Sequence, residues 1–330
     1  MRRFISKSIL CISLALGLIP SGYVSAAPLP SELSVDYSYY NPLSLVLKRF
    51  NWLEDEFKAD HVRIRRVFSP GSDLALKNLQ ADSVNIASSA ILSSVWSRAG
   101  GTPIKVVYIF TRAEWESIVV PRDSPINSVT ALKGKRIAAA PGTDPYFFLL
   151  RALREAGLHK DDVVIVPMSH AQGRAALEKS TVDAWAGGVP YSAESQLENG
   201  FRVIYRNALF NSDGVLNVTE AFAGKYPEAV LRVIKVYEKA RKWALRHPDD
   251  LEVIYSEEAK IPLPISRLVL SKFDFSDPRI VRNDIRVVKL SSPVLKEEQL
   301  INRDLNVNKV IDDLIDTSFV LKQVGPVSGR

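Results

Sequence analysis

The sequence predicts an α/β protein built from two lobes, and three observations lead to this expectation. Segments with strand and helix patterns alternate through most of the chain, which favours parallel sheets covered by helices. A strand predicted at 117–120 leaves the first lobe, and Pro121 and Pro125 mark the crossing. A turn at 211–214 then precedes a strand at 215–218 that returns the chain to the first lobe.

The first lobe begins as a series of alternating strands and helices. The predicted elements are strand 33–37, helix 43–58, strand 62–68, helix 72–80, strand 84–87, a helix through Ala99, and strand 105–111. The helix at 43–58 places Leu43, Leu47 and Phe50 on one face, as a helix that packs on a core requires. The pair Gly100–Gly101 ends the helix before the last of these strands.

The second lobe opens with strand 136–140, a glycine turn and helix 146–156, and later strands are expected at 182–185 and 201–205. Tyr226 and Pro227 begin a long helix, and the rest of the C-terminal third is mostly helical. The predicted division is therefore residues 27–120 plus 214–330 for the first lobe and residues 121–213 for the second.

The N-terminal residues 1–26 predict a signal peptide, and with it an exported, periplasmic protein. Arg2, Arg3 and Lys7 precede the apolar run 9–19, and Val24-Ser25-Ala26 is a small-residue cleavage site. The apolar run is too short to span a bilayer as a stable helix. The mature chain is therefore expected to be soluble.

Cysteine content and charge exclude several classes of function. The single cysteine, Cys11, lies in the predicted signal peptide, so the mature chain offers no disulfide, thiolate metal site or cysteine nucleophile. The formal net charge of +6 falls to +3 when the three basic residues of the signal peptide are removed. No zinc spacing or recognition-helix signature indicates a nucleic-acid partner, whereas a mildly basic exported chain suits a small anionic solute.

A series of motifs between Glu116 and Trp185 is the most informative part of the chain. It comprises Glu116, V-P-R-D-S-P-I at 120–126, L-K-G-K-R-I-A at 132–138, Gly142-Thr143, R-A-L-R-E-A-G-L at 151–158 and D-A-W at 183–185. In their order and spacing these motifs resemble the periplasmic substrate-binding proteins of ABC importers, in particular the aliphatic sulfonate, taurine and nitrate group. The resemblance extends from about Leu33 to Phe275.

The resemblance implies a type II-like periplasmic-binding-protein fold whose lobes close over a solute. It also implies partners: an anionic or zwitterionic solute, an ABC permease and the separate ATPase that powers it. The chain is expected to act as a monomer without a cofactor or metal. The expected substrate-binding residues are Tyr40, Asn41, Ser88, Ser89, Trp115, Glu116, Thr143, Asp144, Tyr146, His170 and Trp185.

The turn around Thr143 and Asp144 ends a strand and opens a helix, so its backbone N–H groups and the helix dipole favour an anion. Pro145 has no N–H to donate. Asp144 is predicted mainly as the N-cap of this helix, with a carboxylate that bonds the N–H of Tyr146 or Phe147. Alternatively, Asp144 accepts a hydrogen bond from an amine or hydroxyl on the solute, which keeps a zwitterion such as a taurine-like molecule open.

The other candidates each have a second possible role. Ser88 and Ser89 follow strand 84–87, and either could contact the solute or cap the next helix. Tyr39 and Tyr40 would enclose the carbon chain of the solute, with Asn41 as a helix cap or a donor. Trp185 would form a rigid wall of the cleft, and the small residues after it suggest a roomy pocket. The loop that carries His170 should reach the cleft.

The function predicted from the sequence is that of a periplasmic receptor for an aliphatic sulfonate, without catalytic residues. The chain has no G-x-S-x-G, H-E-x-x-H, P-loop or G-x-G-x-x-G motif. Alternative solutes are taurine, a sulfate ester, nitrate or a pyrimidine precursor of thiamine. The alternative class is an exported enzyme or sensor domain on the same fold. A basic cluster on the long helix, which includes Lys235, Lys239 and Lys242, is predicted mainly as a solvated face, and the alternative is contact with a permease or with lipid headgroups.

Overall fold

The computed structural model describes residues 28–210 and 212–326. The predicted signal peptide and Cys11 therefore lie outside the described residues. Within the described part, no helix is both long enough and apolar enough to cross a membrane.

The strands form two sheets, and strand 117–120, which the predicted division assigns to the first lobe, pairs in the second sheet. The strands are β1 Glu32–Tyr37, β2 Arg63–Phe68, β3 Ile86–Ala90, β4 Ile104–Ala113, β5 Ser117–Val120, β6 Arg136–Ala139, β7 Val164–Pro167, β8 Ala184–Gly187, β9 Arg202–Tyr205, β10 Gly214–Thr219 and β11 Phe273–Asp274. The first sheet has the order β11-β4-β10-β3-β1-β2, and the second has the order β7-β6-β8-β5-β9.

Helices cover both sheets. They are α1 Pro42–Phe50, α2 Trp52–Phe57, α3 Ser72–Gln80, α4 Ile91–Ala99, α5 Asp144–Glu155, α6 His170–Glu178, α7 Tyr191–Glu198, α8 Glu220–Lys225, α9 Pro227–Arg246, α10 Pro248–Ala259, α11 Leu263–Leu270, α12 Arg282–Ser291, α13 Pro293–Glu297, α14 Val307–Leu314 and α15 Ser318–Val324. The predicted α/β class, the two crossings and the helical C-terminal third are confirmed.

The two crossings lie side by side at the junction of the sheets. The first joins β4 to β5 through residues 114–116, and the second joins β9 to β10 through residues 206–213. Strand β10 pairs antiparallel with both β3 and β4, while β1 pairs parallel with β2 and β3. In the second sheet β6 pairs parallel with β7 and β8, so the carboxyl ends of these strands point to one edge.

Several predicted elements have other bounds in the structure; for example, the strand expected at 182–185 is β8 at Ala184–Gly187. The helix expected at 43–58 is broken at Asn51, whose left-handed backbone (φ 52°) ends α1 and starts α2. The strand expected at 84–87 is β3, which begins at Ile86 and continues through Ser88 and Ser89 to Ala90. Because five residues of β10 pair with it, the sheet extends this strand beyond its apolar part.

One hydrophobic core joins the two lobes behind the crossings. It contains residues from both sheets, such as Ile109 of β4 and Ile137 of β6, and continues into the C-terminal helices with Leu295. Helix α13 contacts α5 of the second lobe, and Glu297 forms an ion pair with Arg154 at 3.2 Å. The C-terminal segment thus packs on both lobes, although the predicted division places it in the first lobe alone.

Candidate functional site

A small cavity lies between the two lobes, beside both crossings. Its walls are formed by Tyr40, Gly71, Ser72, Ala90, Trp115, Glu116, Thr143, Asp144, Pro145, His170, Gly188 and Val189. The free volume is about 30 Å³, enough for about one or two water molecules but not for an organic solute. Six of the eleven predicted site residues line the cavity: Tyr40, Trp115, Glu116, Thr143, Asp144 and His170.

Four helices begin at this cavity, two from each lobe. Gly71 and Ala90 precede the first residues of α3 and α4 in the first lobe. Thr143 precedes α5, and His170 is the first residue of α6 in the second lobe. Helix N-termini carry partial positive charge and amide donors. They are the source of positive potential at the cavity wall, because its twelve lining residues include no lysine or arginine.

A pair of buried carboxyl groups, Glu116 and Asp144, forms another part of the wall. The carboxylate of Asp144 accepts hydrogen bonds from Trp115 Nε1 at 3.1 Å, from the Ser212 backbone nitrogen at 3.1 Å and from Ser212 Oγ at 2.7 Å. Trp115 belongs to the first crossing and Ser212 to the second. Asp144 therefore ties helix α5 of the second lobe to both connections between the lobes.

The environment of Glu116 favours its neutral form. Burial raises the pKa of this carboxyl well above its usual range, and the negative charge of Asp144 raises it further, while the charge of Arg151 opposes the shift. A neutral carboxyl can donate one hydrogen bond as well as accept others. A hydrogen bond between the Glu116 and Asp144 side chains also contributes to the raised pKa of Glu116. Both residues line the cavity, so the pair forms a polar part of its wall.

His170 of the second lobe faces Gly71 of the first, because a Cβ atom at Gly71 would lie 3.7 Å from His170 Nε2. Burial lowers the pKa of its imidazole to about 4, and the charge of Asp73 only partly opposes this shift. The ring is therefore neutral at the pH of most environments. Its Nδ1 atom is shielded from solvent and has no hydrogen-bond partner among the described residues. A neutral imidazole at this place can donate to a solute from one nitrogen and accept with the other.

The predicted capping role of Asp144 is wrong. Helix α5 begins at Asp144 itself, and Thr143 is its N-cap residue. The N–H groups of Tyr146 and Phe147 bond to the Thr143 carbonyl oxygen, not to the Asp144 side chain. Thr143 Oγ1 donates to the Ala140 carbonyl oxygen at 2.7 Å, so this hydroxyl hydrogen is already used within the turn. The carboxylate is consequently directed towards the crossings.

The polar residues at 41, 88 and 89 do not line the cavity but support its wall. Asn41 caps α1 through its side chain and also donates from Nδ2 to Ser88 Oγ at 2.7 Å. Ser88 Oγ donates to Asp36 at 2.8 Å, and Ser89 Oγ lies 2.7 Å from Ser94 Oγ. Neither serine caps α4, because both belong to β3, whose hydrogen bonds extend past them. The Ser88 carbonyl oxygen instead accepts a hydrogen bond from the Tyr40 hydroxyl and so orients a lining ring.

Tyr146 and Trp185 also lie away from the cavity. Tyr146 packs in the core that joins the lobes. The Trp185 side chain is fully buried against Val119, Ala138 and Leu177 in the second lobe. The expectation of a roomy pocket after Trp185 is wrong for a local reason. A Cβ atom on Gly187 would lie 2.0 Å from the Trp185 ring, so the missing side-chain volume is occupied by the indole.

The sequence reasoning missed several residues of the site: Gly71, Ser72 and Val189 line the cavity, and Ser212 bonds to Asp144 behind its wall. Gly71 and Ser72 stand between predicted strand 62–68 and the start of predicted helix 72–80, where no motif indicates a site, yet Ser72 Oγ accepts a hydrogen bond from the Ala90 backbone nitrogen in the cavity wall. Ser212 was treated as part of a turn. Its position at the second crossing is the signal that could have identified it, because a crossing must border the cleft.

No group of three or more His, Cys, Asp or Glu side chains in residues 28–210 and 212–326 is arranged to hold a metal ion. The arrangement is suited to binding, since it combines helix N-termini, a carboxyl pair, a neutral imidazole and the indole of Trp115.

Asp36 supports this wall from behind and gives a prediction about pH. It is buried, accepts hydrogen bonds from Ser88 N and Oγ at 2.8 Å, and burial raises the pKa of its carboxyl to about 7. The contribution of the Asp36 carboxyl to the unfolding free energy is fully present below its pKa in the unfolded chain, which is near 4, and is lost as pH rises towards 7. At 1.36 kcal/mol per pKa unit, the unfolding free energy should fall by about 4 kcal/mol over this range.

We therefore expect Asp36→Asn to remove this part of the pH dependence, since the amide keeps an acceptor for Ser88 but does not titrate. Urea unfolding of both proteins between pH 4 and 8 measures the pH dependence of the unfolding free energy, because this range covers the raised pKa of Asp36. The difference between the two unfolding free energies should change with pH in favour of the variant. A constant difference would show that Asp36 is not titrating in this window.

A protein-family model described as NMT1/THI5 like matches residues 57–251 of this chain. A protein of Bacillus subtilis (strain 168), named as an aliphatic sulfonates-binding protein, is 25% identical over 281 residues, covering 84% of this chain and 83% of the relative. A protein of the same name from Escherichia coli (strain K12) is 25% identical over 261 residues, covering 78% and 80%.

Solved structures show the same fold. The alkanesulfonate-binding protein SsuA from Xanthomonas axonopodis pv. citri, bound to MOPS, aligns with a TM-score of 0.78 at 21% identity, over 88% of this chain and 100% of that one. The periplasmic aliphatic sulphonate binding protein SsuA from Escherichia coli aligns with a TM-score of 0.74 at 22% identity, over 88% and 93%.

An enzyme shares the fold as well. The desulfurization enzyme DSZB aligns with a TM-score of 0.64 at 16% identity, over 89% of this chain and 98% of that one. These structural likenesses show the two-lobe fold of periplasmic binding proteins. The family model matches more than half of the sequence, and the chain therefore belongs to the NMT1/THI5-like family.

Proposed function

We propose that this chain is the solute-binding component of an ABC importer, exported to the periplasm by its predicted signal peptide. It binds a small organosulfonate between lobes 27–120 plus 214–330 and 121–213, and delivers it as a monomer to a membrane permease driven by a separate ATPase. The observation that best supports the proposal is that four helix N-termini, two from each lobe, meet at one cavity between the two crossings.

The chemistry of this convergence suits a sulfonate. Oxygen atoms of a sulfonate accept hydrogen bonds from several amide donors at once, and the helix dipoles stabilise the negative charge without a basic side chain. Because α3 and α4 come from one lobe and α5 and α6 from the other, one anion bound among them would hold both lobes. The relatives named as aliphatic sulfonates-binding proteins support the same class of solute.

The carboxyl pair narrows the choice of sulfonate. A plain alkanesulfonate would place only carbon against Asp144 and Glu116, whereas an amino group would donate hydrogen bonds and compensate the charge of Asp144. The second candidate is therefore a zwitterionic aminosulfonate. The rings of Trp115 and Tyr40 meet edge to face at 6.3 Å and form an apolar part of the wall. They would contact the carbon chain that joins the sulfonate and the amino group of such a solute.

Binding without turnover is part of the proposal. Residues 12–330 contain no cysteine, so a thiol nucleophile is absent from the sequence of the cavity. Among the described residues that line the cavity, Glu116 and Asp144 are the acidic ones. Incubation of mature protein, residues 27–330, with each solute followed by NMR of the solution tests this directly. Recovery of unchanged solute is expected, and steady conversion would favour an enzyme.

A thermal-shift screen followed by calorimetry tests the proposed function. The mature chain is screened against ethanesulfonate, 2-aminoethanesulfonate, sulfate esters, nitrate and pyrimidines. A solute at a hundredfold excess over its dissociation constant should add about 2.7 kcal/mol to the unfolding free energy, which raises the melting temperature by a few degrees. Stabilisation by a pyrimidine, with no response to any sulfonate, would contradict the proposed solute class.

The small cavity predicts a change in shape. Since about 30 Å³ cannot hold even ethanesulfonate, the lobes must open to admit a solute and then close around it. We propose that the solute-free protein is mostly open in solution, and we therefore expect the radius of gyration from small-angle X-ray scattering to fall when the solute that responds in the screen is added. Chloride at the same ionic strength is the control. A radius that stays constant at saturation would rule out closure.

A further inference from the structure

The outer face of α9 carries a row of basic residues that the proposed function does not use. Lys235, Lys239, Lys242 and Arg246 follow one another at spacings of four, three and four residues, so they lie on one side of the helix. All four are exposed. With Glu238 and Gln323 they line a shallow surface groove of about 310 Å³.

Little of this positive charge is compensated within the molecule. Lys235 forms an ion pair with Glu56 at 3.1 Å. Glu238 is buried and its carboxylate already accepts hydrogen bonds from Arg241 and Tyr108. Lys242 and Arg246 form no ion pair with any acidic residue of the described part of the chain. The row of basic residues on α9 therefore keeps a surplus of positive charge at the surface.

Aromatic side chains lie beside the same row of basic residues. Lys239 Nζ lies 4.0 Å from the centre of the Trp52 ring. Trp52 stacks on Phe50 at 4.9 Å, and Trp243 meets Phe50 edge to face at 5.1 Å. Phe50 is 38% exposed, and both indoles are partly exposed. We call the set Phe50, Trp52, Lys239, Lys242, Trp243 and Arg246 the basic–aromatic surface.

We propose that the basic–aromatic surface docks on a membrane that contains anionic phospholipids. Phosphate groups would compensate Lys239, Lys242 and Arg246, while tryptophan rings prefer the depth of the headgroups, where an apolar ring meets water. Charge complementarity favours this partner over a neutral apolar one. None of the six residues lines the cavity, so docking leaves solute binding free and does not depend on which solute is bound.

Vesicle sedimentation with the mature chain tests the proposal. The chain is mixed at low salt with vesicles of phosphatidylcholine alone and with vesicles of equal parts phosphatidylcholine and phosphatidylglycerol. Binding is expected only to the anionic vesicles, and it should weaken as salt increases. Lys239→Gln, Lys242→Gln and Arg246→Gln in one protein should lower the partition coefficient at least about tenfold.

A matched variant separates a local surface from net charge. Lys179→Gln, Arg282→Gln and Arg286→Gln remove the same charge from exposed positions elsewhere. This control should bind like the parent protein, and melting temperatures should confirm that all variants are folded. An equal loss in both variants, or no binding of the parent to anionic vesicles, would overturn the proposal. Binding to native membrane vesicles but not to protein-free anionic vesicles would identify a protein partner instead, and would also overturn it.

Discussion

Asp144→Asn is expected to shift the preference of this protein between two sulfonates that differ by one amino group, towards the one without it. Affinity for 2-aminoethanesulfonate should fall and affinity for ethanesulfonate should rise, because the substitution removes a negative charge that only the amine can use. Two charges about 4 Å apart interact by about 4 kcal/mol at an effective dielectric constant of 20, and partial solvation reduces this. We expect the ratio of the two affinities to change by about tenfold to a hundredfold.

Isothermal titration calorimetry of both solutes with both proteins measures this ratio. The structure removes the competing interpretation in which Asp144 only caps its helix, because the capped N–H groups bond to the Thr143 carbonyl oxygen. Glu116→Gln is the matched control: the burial of Glu116 already favours its neutral form, so an amide should change the ratio much less. Equal changes for the two solutes on Asp144→Asn would show that the carboxylate does not face the solute.

A loss of stability accompanies the substitution and has its own cause. The Asp144 carboxylate accepts hydrogen bonds from Trp115 Nε1 and from both donors of Ser212. Asparagine replaces one of the two accepting oxygens with an NH2 group, which can only donate. At least one of the three donors then loses its acceptor, which should lower the unfolding free energy by about 1 to 3 kcal/mol. Affinities are therefore compared below the melting temperature of the variant, where the folded fraction is the same.

Trp185→Ala is expected to give the largest loss of stability and almost no loss of affinity in the folded protein. The Trp185 side chain is fully buried in the second lobe, and truncation of a buried tryptophan costs about 3 to 5 kcal/mol. Urea unfolding measures the loss, and calorimetry at low temperature measures affinity. A selective loss of affinity with unchanged stability would restore the sequence-based interpretation of Trp185 as a wall of the cleft.

The glycines around Trp185 provide a second test. In the parent protein, Gly187→Ala should be destabilising, because its Cβ atom would lie 2.0 Å from the indole. In the Trp185→Ala background the same substitution should cost much less, since the conflicting ring is gone. The coupling energy of this double-mutant cycle measures the conflict between the added Cβ atom at residue 187 and the Trp185 ring. Additive effects would mean that the backbone moves away from the ring.

The sequence alone determined the architecture, because hydrophobic periodicity and turn residues act locally. Strand 117–120 and helix 72–80 were predicted with their observed bounds, and the return at 214 was identified from its turn. The motifs from Glu116 to Trp185 determined the family resemblance for the same reason, since each motif is contiguous. Glu116, Thr143 and Asp144 were selected as site residues, and all three line the cavity.

The tertiary structure decided what each selected side chain does, because its role depends on partners that are distant in sequence. Asp144 bonds to Ser212, 68 residues away, and not to its own helix. Ser88 bonds to Asp36 because β3 lies next to β1, and Trp185 fills the space beside Gly187 and Gly173. Burial, which sets the pKa of Glu116 and His170, likewise exists only after the lobes have packed. Local pattern predicts where a side chain stands along the chain, whereas its contacts depend on how distant segments pack.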